Sequence, residues 1–276
     1  MQDLSPKLDD HLTCDFYCQA LKVLHQAGIP FLIGGTHAFV RYTGIQRGTK
    51  DLDLFARPAD VPEILAVFAA AGYNTELVVS HWLAKTHYQN DFIDIIFNSA
   101  HGRLPVSDVW FDHAIEEQMF GIPVKICAPE EIIWSKAYVM ARDRYDGADI
   151  AHLILTYGDR LDWQRLVTQF GEHWRVLFSH LVLFGLIYPG QRSRIPTWVM
   201  QQLGQQLAQE SQQGNRDEKL CQGTLLAPLQ YHIDIAEWGY EDARLAPRGN
   251  LTAADVGEWV DHLQQEQGIV SSPIPT

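Results

Sequence analysis

Phe31-Leu32-Ile33-Gly34-Gly35-Thr36, then Lys50-Asp51-Leu52-Asp53-Leu54-Phe55, then Phe92-Ile93-Asp94-Ile95-Ile96-Phe97, is the part of this 276-residue chain whose reading decides the fold. Residues 29–33 form a short apolar run bounded by Pro30 and the Gly34-Gly35 pair, which predicts a buried strand ending in a tight turn. Residues 50–55 alternate polar and apolar, so a strand there sets Asp51 and Asp53 on one face and Leu52 and Leu54 on the other. Asp94 lies in a strand that is otherwise apolar, where an ionised group is costly unless a metal or a partner compensates it.

Around this centre the periodicity predicts an amphipathic helix at 14–26, stopped by Gly28, a short helix at 36–42, and a helix at 59–71 stopped by Gly72. Residues 73–79, 83–88 and 92–97 are rich in β-branched and aromatic side chains, with Gln89-Asn90-Asp91 as a hairpin turn. A further short strand is expected at 124–127. Pro129 suits the first position of a helix running towards Arg142, with Glu130 and Glu131 in its first turn. Helical periodicity continues through 146–157, 163–188 and 196–209. The chain therefore reads as a short mixed sheet flanked by helices over 1–128 and an all-helical region over 129–276, with a polar linker near 210–219 and a frayed tail at 268–276.

Composition narrows the function. A hydrophobic fraction of 46% and a charged fraction of 20% describe an ordinary soluble globular chain. The longest apolar run, 176–189, is too short to span a bilayer and reads as a buried helix, and no secretory signal is visible at the start, so the expected address is cytoplasmic. Cys14, Cys18, Cys127 and Cys221 have no zinc-like spacing with a second Cys or His pair, so thiols are expected. A formal charge of −13 disfavours long DNA as a partner.

Nucleotide transfer needs a triphosphate held and neutralised with an acceptor oxygen in line, and oxygen-ligated divalent ions on converging carboxylates meet that need. Asp51, Asp53 and Asp94 are candidate ligands, and glycines between a strand and a helix let amides approach phosphate. Asp-x-Asp alone is a loose motif; its weight comes from Gly34-Gly35 before it and Asp94 after it. Arg41, Arg47 and Lys50, in the stretch between the glycines and the acids, are candidate phosphate contacts.

Gly-Gly after an apolar strand, a short helix, Asp-apolar-Asp-apolar and a later lone Asp resemble the signature of the DNA polymerase β-like nucleotidyltransferases, over roughly residues 31–149. The resemblance implies an α/β nucleotidyltransferase fold, Mg2+ or Mn2+ on Asp51, Asp53 and Asp94, and an NTP substrate contacted by Gly34, Gly35 and Thr36. In many members the third acid also takes the acceptor's proton. Within the superfamily the chain looks like small bacterial members, including abortive-infection toxins and minimal nucleotidyltransferases of toxin–antitoxin pairs. Those carry a helical Lys and then Arg-Asp-x-x-Asp-apolar. Here the match is Lys136 and then Tyr145-Asp146-Gly147-Ala148-Asp149-Ile150, which implies a phosphate-binding Lys136 with Asp149 near it or bracing it. Tyr145 stands at the Arg position, with Arg142 and Arg144 as substitutes. The expected activity moves an NMP from an NTP to an acceptor, which is a protein, a small molecule or a compact RNA. The alternative is a protein of this fold that acts by binding, as in a toxin–antitoxin pair. The segment 221–240, rich in Gly and aromatics, is expected to serve core packing.

Overall fold

The computed structural model describes residues 11–49, 51–99, 104–213 and 219–266. Lys50, half of the expected linker and the expected tail lie outside the described residues. Helix α1 (His11–Ala27) buries Phe16, Tyr17, Ala20, Leu21 and Leu24, the stripe its periodicity demands, and packs on α3 (Val61–Ala70). Between them lie β1 (Leu32–Ile33), α2 (Gly35–Thr43) and β2 (Asp51–Phe55). Strands β3 (Asn74–Val79), β4 (Leu83–Tyr88) and β5 (Asp91–Ile96) follow as expected, with Asp91 belonging to the strand, so that Gln89-Asn90 alone make the turn. Gln89 turns through φ 55°.

After β6 (Leu104–Pro105) and a short α4 (Asp108–His113), β7 (Ile115–Met119) and β8 (Ile122–Ile126) complete the sheet. Strand β7 was not among the expected elements; it carries Glu116, Glu117 and Gln118 in succession, which masks its alternation. The seven-stranded sheet runs β3-β4-β5-β2-β1-β8-β7. It is mixed, since β2 is parallel to β5 and β1 to β8, while the other neighbours are antiparallel.

Helix α5 (Pro129–Ala137) stops five residues short of the expected end at Arg142, and the chain instead loops back through a bridge between Met140 and Tyr145. Helix α6 (Gly147–Tyr157) follows. The expected single helix over 163–188 is broken by Gly171, at φ 45°, into α7 (Trp163–Phe170) and α8 (Trp174–Ile187). One face of α8 is buried, whereas Val182, Leu183, Leu186 and Ile187 are exposed, so the run expected to be buried is only half so. Helix α9 (Thr197–Gln212) extends into the segment read as linker. Among the described residues beyond α9, the helices α10 (His232–Ala236) and α11 (Ala253–Glu266) are joined by turns and by the two-residue strands β9 (Leu220–Cys221) and β10 (Glu241–Asp242). Tyr231, Trp238 and Tyr240 are exposed, contrary to the core role expected for that segment. Among the described residues no helix is long and apolar enough to cross a membrane.

One apolar cluster runs from α1 through the sheet to α5–α9. Within it, Glu130 and Glu131 at the start of α5 are almost wholly buried and are paired by Arg165 of α7, at 2.5 Å for Glu130 Oε2. Burial still raises the Glu131 carboxyl above its ordinary range, against the pull of Arg165. Removing one partner of a buried pair typically costs about 3–5 kcal/mol. Arg165→Met is expected to lose about 3 kcal/mol or more in urea denaturation at pH 8. The deficit should shrink towards pH 5, because lowering the pH protonates the two abandoned carboxylates. A deficit that is constant with pH would show that the pair is not what Arg165 supports.

Candidate active site

Strand β2 lies parallel to β5 with Asp53 directly opposite Asp94. Leu52, Leu54, Ile93 and Ile95 are fully buried on the other face, and this pins both strands so that the acids share one side. Asp51, two residues before Asp53, joins them, and one carboxylate oxygen of each lies within 4.8 Å of the others. Three carboxylates and no nitrogen or sulfur donor make an oxygen set suited to a hard divalent cation such as Mg2+.

The two glycines are what let the chain pass this close. Gly35 opens α2 at φ 51°, and a Cβ there would stand 1.6 Å from Asp53 Oδ2. Gly34 donates its amide to the Asp53 carbonyl at 3.0 Å, and a Cβ on it would enter the Phe55 ring at 2.2 Å. The first turn of α2 is thus laid against the acids, with its amide-rich end beside them.

Burial, then the negative charges of Asp51 and Asp94, push the Asp53 carboxyl up to about 7, while Lys136 and Arg144 pull the other way. Partial compensation comes from β4. Lys85 pairs directly across from Asp94 in the hairpin and sets its ammonium 3.1 Å from Asp94 Oδ1 and 4.3 Å above the Phe92 ring. Thr49 donates to Asp51 Oδ1 at 2.6 Å. His37 of α2 is buried next to Asp51, and burial lowers its pKa to about 4, so it is neutral at pH 7.

A second group of charges faces the acids across a cleft of ≈ 480 Å³, a size that suits a small-molecule substrate. Arg47 grips Asp149 with two bonds of 2.7 and 2.8 Å, and its guanidinium lies 4.5 Å from the Phe39 ring centre. Lys136, in the last turn of α5, is 2.8 Å from Asp149 and 3.0 Å from Asp146. Burial works against ionisation of Asp146 and Asp149. For Asp149, Arg47 and Lys136 outweigh it, and for Asp146, Lys136 and Arg144 do, so both carboxyls stay below their ordinary range. The Tyr145 ring stacks on His180, whose Nε2 lies 3.0 Å from the Ala137 carbonyl, and this holds the loop that carries Arg144.

Of the residues named from the sequence, Gly35, Thr36, Arg47, Asp51, Asp53, Asp94, Lys136, Arg144 and Asp149 all line this one cleft. Gly34 is not among the lining residues, and Lys50 is outside the described residues. Arg41 is turned away, 2.5 Å from Glu117 on β7, because its place on α2 aims it at the far end of the sheet. Arg144 and not Arg142 is the arginine on the cleft, beside the Tyr145 that replaces the expected one. Lys85 and Thr49, which touch the acids, and Trp82 and Asn98 on the rim carry no signal in the sequence motif, and Asp146, part of the motif, gains its role as a partner of Lys136 only in the fold. Lys85 was within reach, since a two-residue turn at Gln89-Asn90 sets the register that pairs it with Asp94.

No protein-family model and no curated protein sequence matches this chain. Several solved structures resemble it distantly. The solution structure of the antibiotic-resistance factor ANT(2'')-Ia matches at 15% identity and a TM-score of 0.37, covering 72% of this chain and 97% of its own. The lincomycin-bound lincosamide antibiotic adenylyltransferase LnuA matches at 17% identity and a TM-score of 0.36, covering 50% and 92%. An antigenic nucleotidyltransferase-like protein from Paracoccidioides brasiliensis matches at 16% identity and a TM-score of 0.36, covering 64% and 94%.

Like charges directly opposite in a sheet are mutually destabilising, so the metal-free protein pays for its triad in stability. Asp53→Asn is isosteric and is expected to raise the stability of the metal-free protein by about 1 kcal/mol. The same variant should lose the rise in melting temperature that millimolar Mg2+ or Mn2+ gives the wild type. Differential scanning calorimetry with and without metal checks both; a wild type whose melting temperature ignores the metal counts against a cation site. Gly35→Ala should also lose the metal-dependent rise, and lose stability as well, because its Cβ cannot coexist with Asp53 in place.

Proposed function

We propose that this chain is a metal-dependent nucleotidyltransferase of the DNA polymerase β type, moving an NMP from an NTP to an acceptor and releasing pyrophosphate. The observation that carries the reading is the convergence of Asp51, Asp53 and Asp94 beside the glycine-opened end of α2, facing Arg47, Lys136 and Arg144 across one cleft. Asp51, Asp53 and Asp94 would hold Mg2+ or Mn2+, which when bound supplies neutralisation of phosphate charge and polarisation of the reacting oxygens.

The chain's own groups divide the remaining work. The Gly35 amide and the Thr36 hydroxyl, at the positive end of α2, face the triphosphate. Lys136, Arg144 and Arg47 surround it with positive charge, and Asp149 positions two of these cations by holding Arg47 and Lys136 at 2.7 and 2.8 Å. The acceptor oxygen forms a bond to the α-phosphorus as the bond to the β-phosphate oxygen breaks, and Asp94 takes the acceptor's proton. Lys85, 3.1 Å from Asp94 Oδ1, holds that carboxylate in place.

The acceptor is a small molecule, or a protruding group of a protein or compact RNA, since the chain's net charge of −13 opposes extended nucleic acid. Residues 129–276 contribute its recognition, and 1–128 the metal site. A cytoplasmic address suits the four free thiols and the supply of NTP. A second reading, a binding protein such as one half of a toxin–antitoxin pair, is favoured by one observation: Arg47 and Lys136 are already neutralised by Asp149 and Asp146.

The readings part on transfer. With α-labelled NTPs, Mg2+ and cell extract, the wild type is expected to pass label to protein, RNA or a small molecule. Asp51→Asn/Asp53→Asn should reduce this at least 100-fold, on the scale of losing electrostatic stabilisation of the reacting phosphate. Equal labelling by both, or none by either, removes the enzyme reading.

A further inference from the structure

Outside the cleft, one other group of side chains among the described residues brings metal donors together. One donor atom each of His81, Asp255 and Glu258 lies within 4.8 Å of the others. His81 sits in the turn between β3 and β4, while Asp255 and Glu258 are three residues apart on α11 and so share a face. Helix α11 packs on β3 at this place, around the buried Trp259.

One feature of the cluster calls for a ligand, and a second leaves room for it. Both ring nitrogens of His81 are shielded from solvent and have no hydrogen-bond partner, a costly state for a group with one donor and one acceptor. The edge contact with the Trp259 ring, 6.0 Å between centres, accounts for the packing of the imidazole and not for its nitrogens. Second, each carboxylate is oriented through one oxygen. Glu258 Oε2 accepts from the Ser80 amide at 3.0 Å and from its hydroxyl at 2.5 Å, and Asp255 Oδ2 accepts from the Thr252 amide at 2.8 Å and its hydroxyl at 2.7 Å. Glu258 Oε1 and Asp255 Oδ1 are left for another ligand. Fixing a ligating carboxylate by its second oxygen is a usual feature of metal sites.

We infer that His81, Asp255 and Glu258 form a second divalent-metal site, distinct from the aspartate triad, that clips α11 to the β3–β4 turn. One imidazole and two carboxylates, with water completing the shell, suit Zn2+, Co2+ or Mn2+ better than Mg2+. Ligand bonds of about 2.0–2.2 Å require the donor atoms to draw in by about 1 Å or less, which side-chain rotation supplies. The clip reaches the cleft, because the His81 carbonyl accepts from Asn98 Nδ2 at 2.5 Å, and Asn98 and Trp82 both form the rim. The ion would therefore steady the wall of the site without touching the reacting groups.

The test uses the full chain carrying Asp51→Asn/Asp53→Asn, so that the triad does not report. Titration with Co2+ is expected to give one bound equivalent with visible absorption and a raised melting temperature. Adding His81→Gln, Glu258→Gln or Asp255→Asn should each weaken that binding at least tenfold, on the scale of losing a metal-site residue. Three variants are specified so that the loss of fold in one does not decide the matter; each is scored only if it unfolds cooperatively without metal. Absence of Co2+ binding in the parent, or binding that all the folded variants retain, overturns the site and leaves the reading of the triad untouched.

Discussion

Three carboxylates share one face of two adjacent strands, and most of the structure around them can be read as the cost of that crowding. Asp53 and Asp94 stand directly opposite each other and Asp51 is one pleat away, with buried leucines and isoleucines beneath. An apolar sheet interior would not keep such a group ionised without compensation. The compensation is graded. Lys85 touches Asp94, Thr49 touches Asp51, and Arg47, Lys136 and Arg144 stand across the cleft where a polyanion would enter.

The helical region serves the same arrangement from outside the sheet. The Glu130/Glu131–Arg165 group ties the start of α5 to α7, and this sets the direction in which α5 delivers Lys136 to the cleft. Where α5 ends, the chain turns back, and the stacking of Tyr145 on His180 presents Arg144 and Asp146. The facing cations thus come from α5 and from the loops that carry Arg47 and Arg144, and the acids of the triad from strands. Their separation leaves a cleft, and does not collapse into direct pairs between the triad and Lys136, because Asp146 and Asp149 occupy that lysine first.

Much of this was legible in the sequence, for local reasons. Gly34-Gly35, Asp51-Leu52-Asp53 and Asp94 among isoleucines follow from periodicity and from the cost of burying charge, and the structure brings these residues together. What escaped notice depended on contacts distant along the chain. Lys85 needed the hairpin register, and Arg41 needed knowledge that Glu117 lies beside it on an edge strand whose polar residues hid it. The break at Gly171 and the early end of α5 are tertiary choices that a continuous helical pattern conceals. In the segment 221–240, composition suggested burial for aromatics that the fold leaves exposed.

A triad that serves nucleotide transfer binds metal together with a nucleotide. Electron paramagnetic resonance of Mn2+, with and without an NTP analogue that cannot transfer its α-phosphoryl group, tests it most directly. The analogue is expected to deplete the free Mn2+ signal of the wild type well beyond what protein or nucleotide alone removes, and Asp51→Asn/Asp53→Asn should abolish that extra depletion. Equal depletion by the two proteins would show that the aspartates do not hold the ion.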